Sequence, residues 1–505
     1  MAASGLIIPT IVVGVLVIIL FTRKLQNTSK DPITIPGHPL FGHLPGILRH
    51  GTTLPLLLAQ QNNYPPIYAI TMFGQRAYTI SSPELASLVT RKQKHLDTET
   101  QFLITVFKNM LGVDKAAMKL LLESTKPAAR KARTPFREEM RAVEHKLLAS
   151  GEHVEKLYGG MMGEVSRMVG ALGSKNKNKI SLLRFLEQVM ITAAGTGLYG
   201  RDNPFVEKPS LGRDYWIYDS QMSLFLLNLL PEYTVPEAYR ARERLVNALS
   251  DYHVSGGQPD MSEIIRRRSE IARRYGCSND YLGRSEVELL NGLLSNMVPT
   301  IFWMLVHIML DPSLAQRVMN EVNDLIDTER PATASLNPAE IRTKCPVLVA
   351  TYQEALRLYA SSARAYQVME DFELTDDILL RKGSLVTIPA ENIHRNPRNW
   401  GADALKFHVD RWLKADKPAN SSAWVPFGGG SSICPGRFFV FDMILSTVVV
   451  VLHGNELGFA ERTAEAPGRK TKIMSGIRIP VEDVDIVVSK REGSGGSWVF
   501  ERKSL

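Results

Sequence analysis

The segment from Trp424 to Gly436, WVPFGGGSSICPG, places three consecutive glycines ahead of a single cysteine. Gly428, Gly429 and Gly430 permit a tight turn and let backbone approach a flat ligand closely. Cys434 precedes Pro435, and the apolar run RFFVFDMILSTVVVVL that follows reads as a helix with the proline at its first position. At a helix N-terminus, free N–H groups and the positive end of the dipole stabilise a thiolate. A buried thiolate with a glycine-rich approach and an aromatic, Phe427, beneath it suits the axial position on a haem iron. There it pushes electron density onto the metal and favours O–O cleavage. The other two cysteines, Cys277 and Cys345, lack such surroundings and read as buried structural thiols. Three cysteines in 505 residues, none at finger-type spacing, argue against a disulfide framework and against zinc.

Two further patterns lie upstream. Glu354-x-x-Arg357, inside YQEALRLYA, puts opposite charges three apart on one helix face, where they can pair. Phe407 to Trp412 reads FHVDRW. Together with Phe427-x-x-Gly430-x-x-x-Cys434-x-Gly436, and in this order, they resemble the motifs of the cytochrome P-450 superfamily. The resemblance implies a mainly α fold with a small β portion. It implies Phe427, Gly430, Cys434 and Gly436 as the haem-binding set, with Cys434 as the iron's axial ligand. It implies Glu354, Arg357 and Arg411 as a buried ion network. The implied activity is a monooxygenase, RH + O₂ + two electrons + two protons giving ROH and water, with electrons from NADPH through a flavoprotein reductase.

One stretch departs from that pattern. Where the family carries Ala/Gly-Gly-x-Asp/Glu-Thr, this chain has Gly292, Leu293, Leu294, Ser295 and Asn296. Ser295 and Asn296 stand at the acid–alcohol pair that delivers protons, and they are the catalytic candidates. An asparagine does not titrate, so proton delivery would need water or the substrate. Ser432 stands where the family's usual basic residue lies two before the cysteine, leaving Arg364, Arg437 or a residue nearer the N-terminus as the candidates to compensate. Asn296, Pro299 and Phe302-Trp303 resemble the branch that contains cholesterol 7α-hydroxylase, sterol 12α-hydroxylase and prostacyclin synthase. That branch includes an isomerase, so a redox-neutral isomerase or dehydratase is an alternative, and a non-catalytic haem-binding sensor a second. Phe102, Leu293, Val298, Ala363, Tyr366 and Gly476 are the implied pocket lining. Mostly apolar or small, they suit a hydrophobic terpenoid-like, steroid-like or polyketide substrate of specialised metabolism.

These residues need elements to hold them. Alternating β-formers at 65–82 predict a hairpin, and most of 83–330 has helical spacing. A helix over Gly292–Leu310 closes at Asp311-Pro312, a strong stop. Further expectations are a helix at 346–360, short strands at 364–390, a helix at 435–453 and a β-like tail at 470–490. Leu6 to Thr22 is almost unbroken apolar sequence, followed by Arg23 and Lys24. It approaches the ~20 residues of a membrane-spanning helix. Positive residues after the span favour the cytoplasmic side. The organisation expected is an anchor at 1–24, a stiff non-helical Pro-rich hinge at 25–48 and a catalytic unit at 49–505. That places a monomer in the endoplasmic-reticulum membrane, single-pass, with its body cytosolic. The net charge is +8. The Arg266–Arg268 and Arg273–Arg274 cluster lacks interleaved aromatics and reads as a solvated face, not a nucleic-acid surface. An anionic membrane or an acidic partner protein remains compatible with that charge.

Overall fold

The computed structural model describes residues 29–502, apart from 40, 73–74, 125–134, 173–177, 227, 229, 327–332, 415–420, 431–432, 471–475 and 492–496. The apolar segment at 1–24 and Ser432 lie outside the described residues. Ten described helices reach twelve residues. In chain order they are α1 Phe136–Ala149, α2 Glu152–Gly170, α3 Leu182–Tyr199, α4 Ser210–Phe225, α5 Pro236–Val254, α6 Glu263–Arg274, α7 Asn279–Leu310, α8 Pro312–Leu325, α9 Pro346–Tyr359 and α10 Arg437–Gly454.

Helix α7 organises the body. It packs against α3, α5, α9 and α10, and a helix surrounded on all sides carries apolar residues all round. It begins at Asn279 rather than Gly292, capped by the Ser278 hydroxyl, which accepts from the Tyr281 N–H. Its first half is hidden from a hydropathy reading because Arg284 and Glu286 are buried there beside Leu282, Val287 and Leu290. It ends at Asp311, whose carboxylate caps α8 by accepting from Ser313 and Leu314 N–H. Pro299 sits inside the helix and has no N–H to give the preceding turn. One turn on, the Thr300 hydroxyl donates to the Asn296 carbonyl at 2.7 Å. Trp303 is fully buried, stacks on Tyr359 of α9 at 3.9 Å and donates its indole N–H to the Arg478 carbonyl at 2.6 Å. Burial of a side chain this large contributes roughly 2–3 kcal/mol. Helices α7 and α10 are both long and apolar enough to span a membrane, yet most of each is buried inside the protein. They are core helices.

A five-stranded sheet forms the main β portion: β1 Ile67–Met72, β2 Gln75–Ile80, β3 Leu96–Asp97, β4 Ala363–Val368 and β5 Leu385–Pro389. Its order is β1-β2-β5-β4-β3. β1 and β2 are the antiparallel hairpin, Ile67 opposite Ile80, while β2 runs parallel to β5. Tyr78, Val386 and Ile388 face a second, smaller core. Asp485–Lys490 in the tail joins Asn455–Phe459 and Asn178–Ser181 in a three-stranded sheet.

Three expectations need correction. The hinge is not wholly non-helical. Leu44–His50 is a short helix with a proline in its first turn. The chain before it is pinned to β1, where the Ile35 N–H donates to the Ala69 carbonyl at 2.9 Å. Helix α10 starts at Arg437 with Gly436 as its cap, so Pro435 precedes the helix instead of opening it. The arginine cluster of α6 is not all solvated. Arg266 and Arg267 pair with Glu263 at the surface, whereas Arg268 is 1% exposed and bonds to Glu144 and Ser285.

Candidate active site

The cysteine loop is built by backbone. Gly428 and Gly430 adopt φ of +81° and +62°, the left-handed region where a side chain would strain the chain. The Cys434 N–H donates to the Phe427 carbonyl at 3.0 Å, which closes the loop. Burial pushes the Cys434 thiol above its ordinary value, opposed by the Gly436 and Arg437 N–H groups and the Arg437 charge. The helix terminus alone therefore does not ionise this thiol. A metal cation would, because a coordinating thiol is deprotonated outright.

Cys434 lies on the wall of a cavity of about 430 Å³, together with Phe102, Val106, Ala363, Arg364 and Ile433. Arg364 projects from β4, and its buried Nη1 has no hydrogen-bond partner among the described residues. Gly429 makes room for it, since a Cβ there would stand 3.0 Å from that nitrogen. Arg437 turns away, donating to the Cys434 carbonyl at 3.0 Å and covering the Phe438 ring at 4.3 Å. A thiol, the buried Nη1 of the Arg364 guanidinium and apolar side chains on one part of the wall, with Arg137, Arg141 and His145 on another, fit a flat, anionic iron macrocycle. Haem is such a group.

Behind the loop, Glu354 and Arg357 pair on α9 through two contacts of 2.8 Å, both side chains 0% exposed. Arg411 donates to Glu354 at 3.0 Å, as do the His408 N–H at 2.8 Å and the Trp412 indole at 2.9 Å. Burial acts against the Glu354 charge, but Arg357, Arg411 and the His408 N–H together hold its carboxyl below the usual range. Arg357 also donates to the His394 carbonyl at 2.8 Å, and the His394 ring accepts from the Val425 N–H at 2.8 Å. The ion network is thereby tied to the start of the cysteine loop.

A second cavity of about 290 Å³ adjoins the first, sharing Phe102, Val106, Glu288 and Ala363 with it. Ser295 and Asn296 line it, with Gly476 opposite. A side chain at 476 would overlap the Asn296 amide oxygen, which is buried without a hydrogen-bond partner. Ser295 instead donates to Asp219 of α4 at 2.5 Å. Of the implied lining, Phe102, Ala363 and Gly476 face this cavity. Val298 and Tyr366 do not: each is 1% exposed, Val298 in the main core and Tyr366 in the sheet's core. Leu293 packs against the main core. The lining is also less apolar than expected. Asp219, Glu288 and Asn291 join Ser295 and Asn296 across from Val106, Met110 and Met222. No local signal marks Asp219, which reaches the cavity only because α4 folds over α7.

A family profile described as "Cytochrome P450" matches residues 279–457, from the start of α7 to just past α10. The chain is 28% identical over 443 residues to "Cytochrome P450 monooxygenase nodJ" of Hypoxylon pulicicidum, covering 85% of this chain and 84% of that one. It is 27% identical over 337 residues to "Cholesterol 7-alpha-monooxygenase" of Cricetulus griseus, covering 60% of this chain and 64% of that one. The fold matches that of "Retinoic acid bound cyanobacterial CYP120A1" with a TM-score of 0.70 at 18% identity, over 92% of this chain and all of the other. The cysteine loop, the mainly helical fold, the family match over residues 279–457 and the monooxygenases among the relatives all support a cytochrome P450 monooxygenase.

Proposed function

We propose that this chain oxidises a hydrophobic small molecule with O₂, using a haem held at Cys434 and electrons from NADPH through a flavoprotein reductase. The observation that carries it is the Cys434 thiol sharing one cavity with the Arg364 guanidinium, whose buried Nη1 has no hydrogen-bond partner among the described residues. Cys434 would hold the iron and Arg364 a haem carboxylate. Phe427, Gly430 and Gly436 would shape the loop, and the Glu354, Arg357 and Arg411 network would brace it. When bound, the haem supplies oxygen activation. Ser295 and Asn296 would hold and move protons at the edge of the adjoining cavity, while Phe102, Val106 and Met222 exclude water and orient the substrate. A relative whose name gives cholesterol as its substrate supports a sterol-like or terpenoid skeleton. Fungal relatives such as nodJ support a place in specialised metabolism.

The N-terminal apolar run supports anchoring in the endoplasmic-reticulum membrane with the body cytosolic. So do Ile33, Phe41 and Leu48, which stay exposed just after it. The positive net charge supports docking of an acidic reductase surface on a monomer. One observation favours a redox-neutral isomerase or dehydratase instead: positions 295 and 296 of α7 carry no carboxylate. Product formed without NADPH would establish that reading, and strict NADPH dependence excludes it. The central test is spectroscopic. The reduced, CO-bound protein should show the red-shifted Soret band of a thiolate-ligated haem, and Cys434→Ser should abolish it. An imidazole-type spectrum would reject the assignment.

A further inference from the structure

The acid missing from α7 stands on the helix that crosses it. Asp219 of α4 is 6% exposed and lines the smaller cavity beside Ser295 and Asn296. Ser295 Oγ lies 2.5 Å from Asp219 Oδ1 and 3.1 Å from the Tyr215 hydroxyl. The Tyr215 hydroxyl also lies 3.2 Å from the Leu290 carbonyl, so its single hydrogen is shared between that carbonyl and Ser295 Oγ. Its phenol is raised well above the ordinary range, first by burial, so it stays a neutral donor. Ser295 Oγ is thus set between a donor and a carboxylate, the arrangement a hydroxyl needs in order to pass a proton.

We propose that Asp219 supplies, from α4, the carboxylate that the α7 acid–alcohol position lacks, and passes protons through Ser295 Oγ into the cavity. When protonated, Asp219 donates its hydrogen to Ser295 Oγ, and Oγ releases its own hydrogen to an oxygen atom in the cavity. The ionised carboxylate then accepts from Oγ, as the 2.5 Å contact shows. Asp219 regains its proton from solvent. It is unchanged over a cycle in which RH, O₂, two electrons from NADPH and two solvent protons give ROH and H₂O.

Glu187 of α3 is pushed up to about 7 by burial and by the charges of Asp219 and Asp483, against Arg184 and Lys470. The other acid on this cavity is the half-buried Glu288, eight residues before Asn296 on α7. That separation is about 12 Å along a helix. Its neighbour is the Arg268 guanidinium at 3.6 Å. Asp219 is the carboxylate in contact with the acid–alcohol position.

The inference rests on the monooxygenase reading, and the test separates the two. The full-length haem-loaded protein, with reductase, NADPH and O₂ but no added substrate, so that O₂, two electrons and two protons give H₂O₂, is compared with Asp219→Asn, Asp219→Glu, Ser295→Ala and Glu288→Gln. Asp219→Asn and Ser295→Ala should each slow NADPH-driven O₂ consumption on the order of 100-fold, and each should enlarge the solvent deuterium isotope effect. Asp219→Glu should recover most of the rate, and the thiolate-type CO spectrum should persist in all four. The infrared carboxylate stretch that Asp219→Asn removes should shift in Ser295→Ala, which takes away the hydroxyl that donates to it. A wild-type rate and isotope effect in Asp219→Asn overturns the assignment. So does an equal loss in Asp219→Glu, or a loss confined to Glu288→Gln. Absence of the thiolate-type spectrum from the wild-type protein would instead strike the haem–thiolate reading itself.

Discussion

Two buried charge clusters flank the catalytic core, and they are built in opposite ways. Around Arg357 every donor is used. Its five N–H groups reach the two Glu354 oxygens and the carbonyls of His394, Ala404 and Lys406. Around Arg268 the bonding is incomplete. Its Nε, the nearby Glu286 Oε1 and the His253 Nε2 are buried without hydrogen bonds, at 4.0 Å and 3.6 Å from their neighbours. Glu288, 3.6 Å from Arg268, faces both cavities. A fully satisfied polar network rigidifies and specifies a core, while each unpaired buried polar group costs stability. The first cluster is scaffold, and the second borders the chemistry.

The sharpest way to break that contrast is to open the closed cluster. Glu354→Ala would strand Arg357 as a buried unpaired charge and should cost about 3–5 kcal/mol. Urea unfolding followed by circular dichroism measures it, and a loss under ~1 kcal/mol would show that the network is not the scaffold described. An effect of comparable size, drawn out over pH, comes from His394, which is 0% exposed and held at about 3, first by burial and then by the Arg357 charge. An unfolded histidine titrates near ~6.5. The native state therefore binds fewer protons between these values. Its contribution is intact above ~6.5 and is lost as pH falls toward about 3, at ~1.4 kcal/mol per pH unit. Stability curves for wild type and His394→Gln should converge over that window, and parallel curves would contradict the linkage.

The smallest effect should come from the open cluster. Burial, and next the Glu144 charge, raise the Glu288 carboxyl above its ordinary value. A raised acid contributes fully below the unfolded value of ~4.3 and loses that contribution as pH rises. Glu288→Gln should thus leave stability unchanged near pH 4 and raise it by about 1 kcal/mol or less near pH 8. Destabilisation at pH 8 would mean that the cluster is as tightly closed as the other.

Legibility in the sequence follows the same division. The closed cluster draws on α9 and on the segment ending at Trp412, each with its own local pattern, so its residues could be named in advance. The cysteine loop is contiguous and equally readable. The open cluster gathers Glu144, Arg268 and Glu286 from α1, α6 and α7, and neither hydropathy nor spacing connects them. Arg268 looks like its exposed neighbours Arg266 and Arg267 until α6 packs on α1. Asp219 is hidden for the same reason, since only the α4–α7 crossing pairs it with Ser295. Val298 and Tyr366 mislead in the other direction. Each lies within a stretch that lines pockets in related proteins, but here each side chain points into a core.

The bond from the Val425 N–H to His394 has a thermodynamic consequence. Through His394, the strand of chain leading to Cys434 shares one mechanical anchor with Arg357. The loop cannot slacken while that anchor is seated, and the anchor cannot leave without releasing the loop. Loss of the cofactor's optical band and loss of helical signal, followed together on heating, should therefore share one midpoint, and separate midpoints would contradict that coupling.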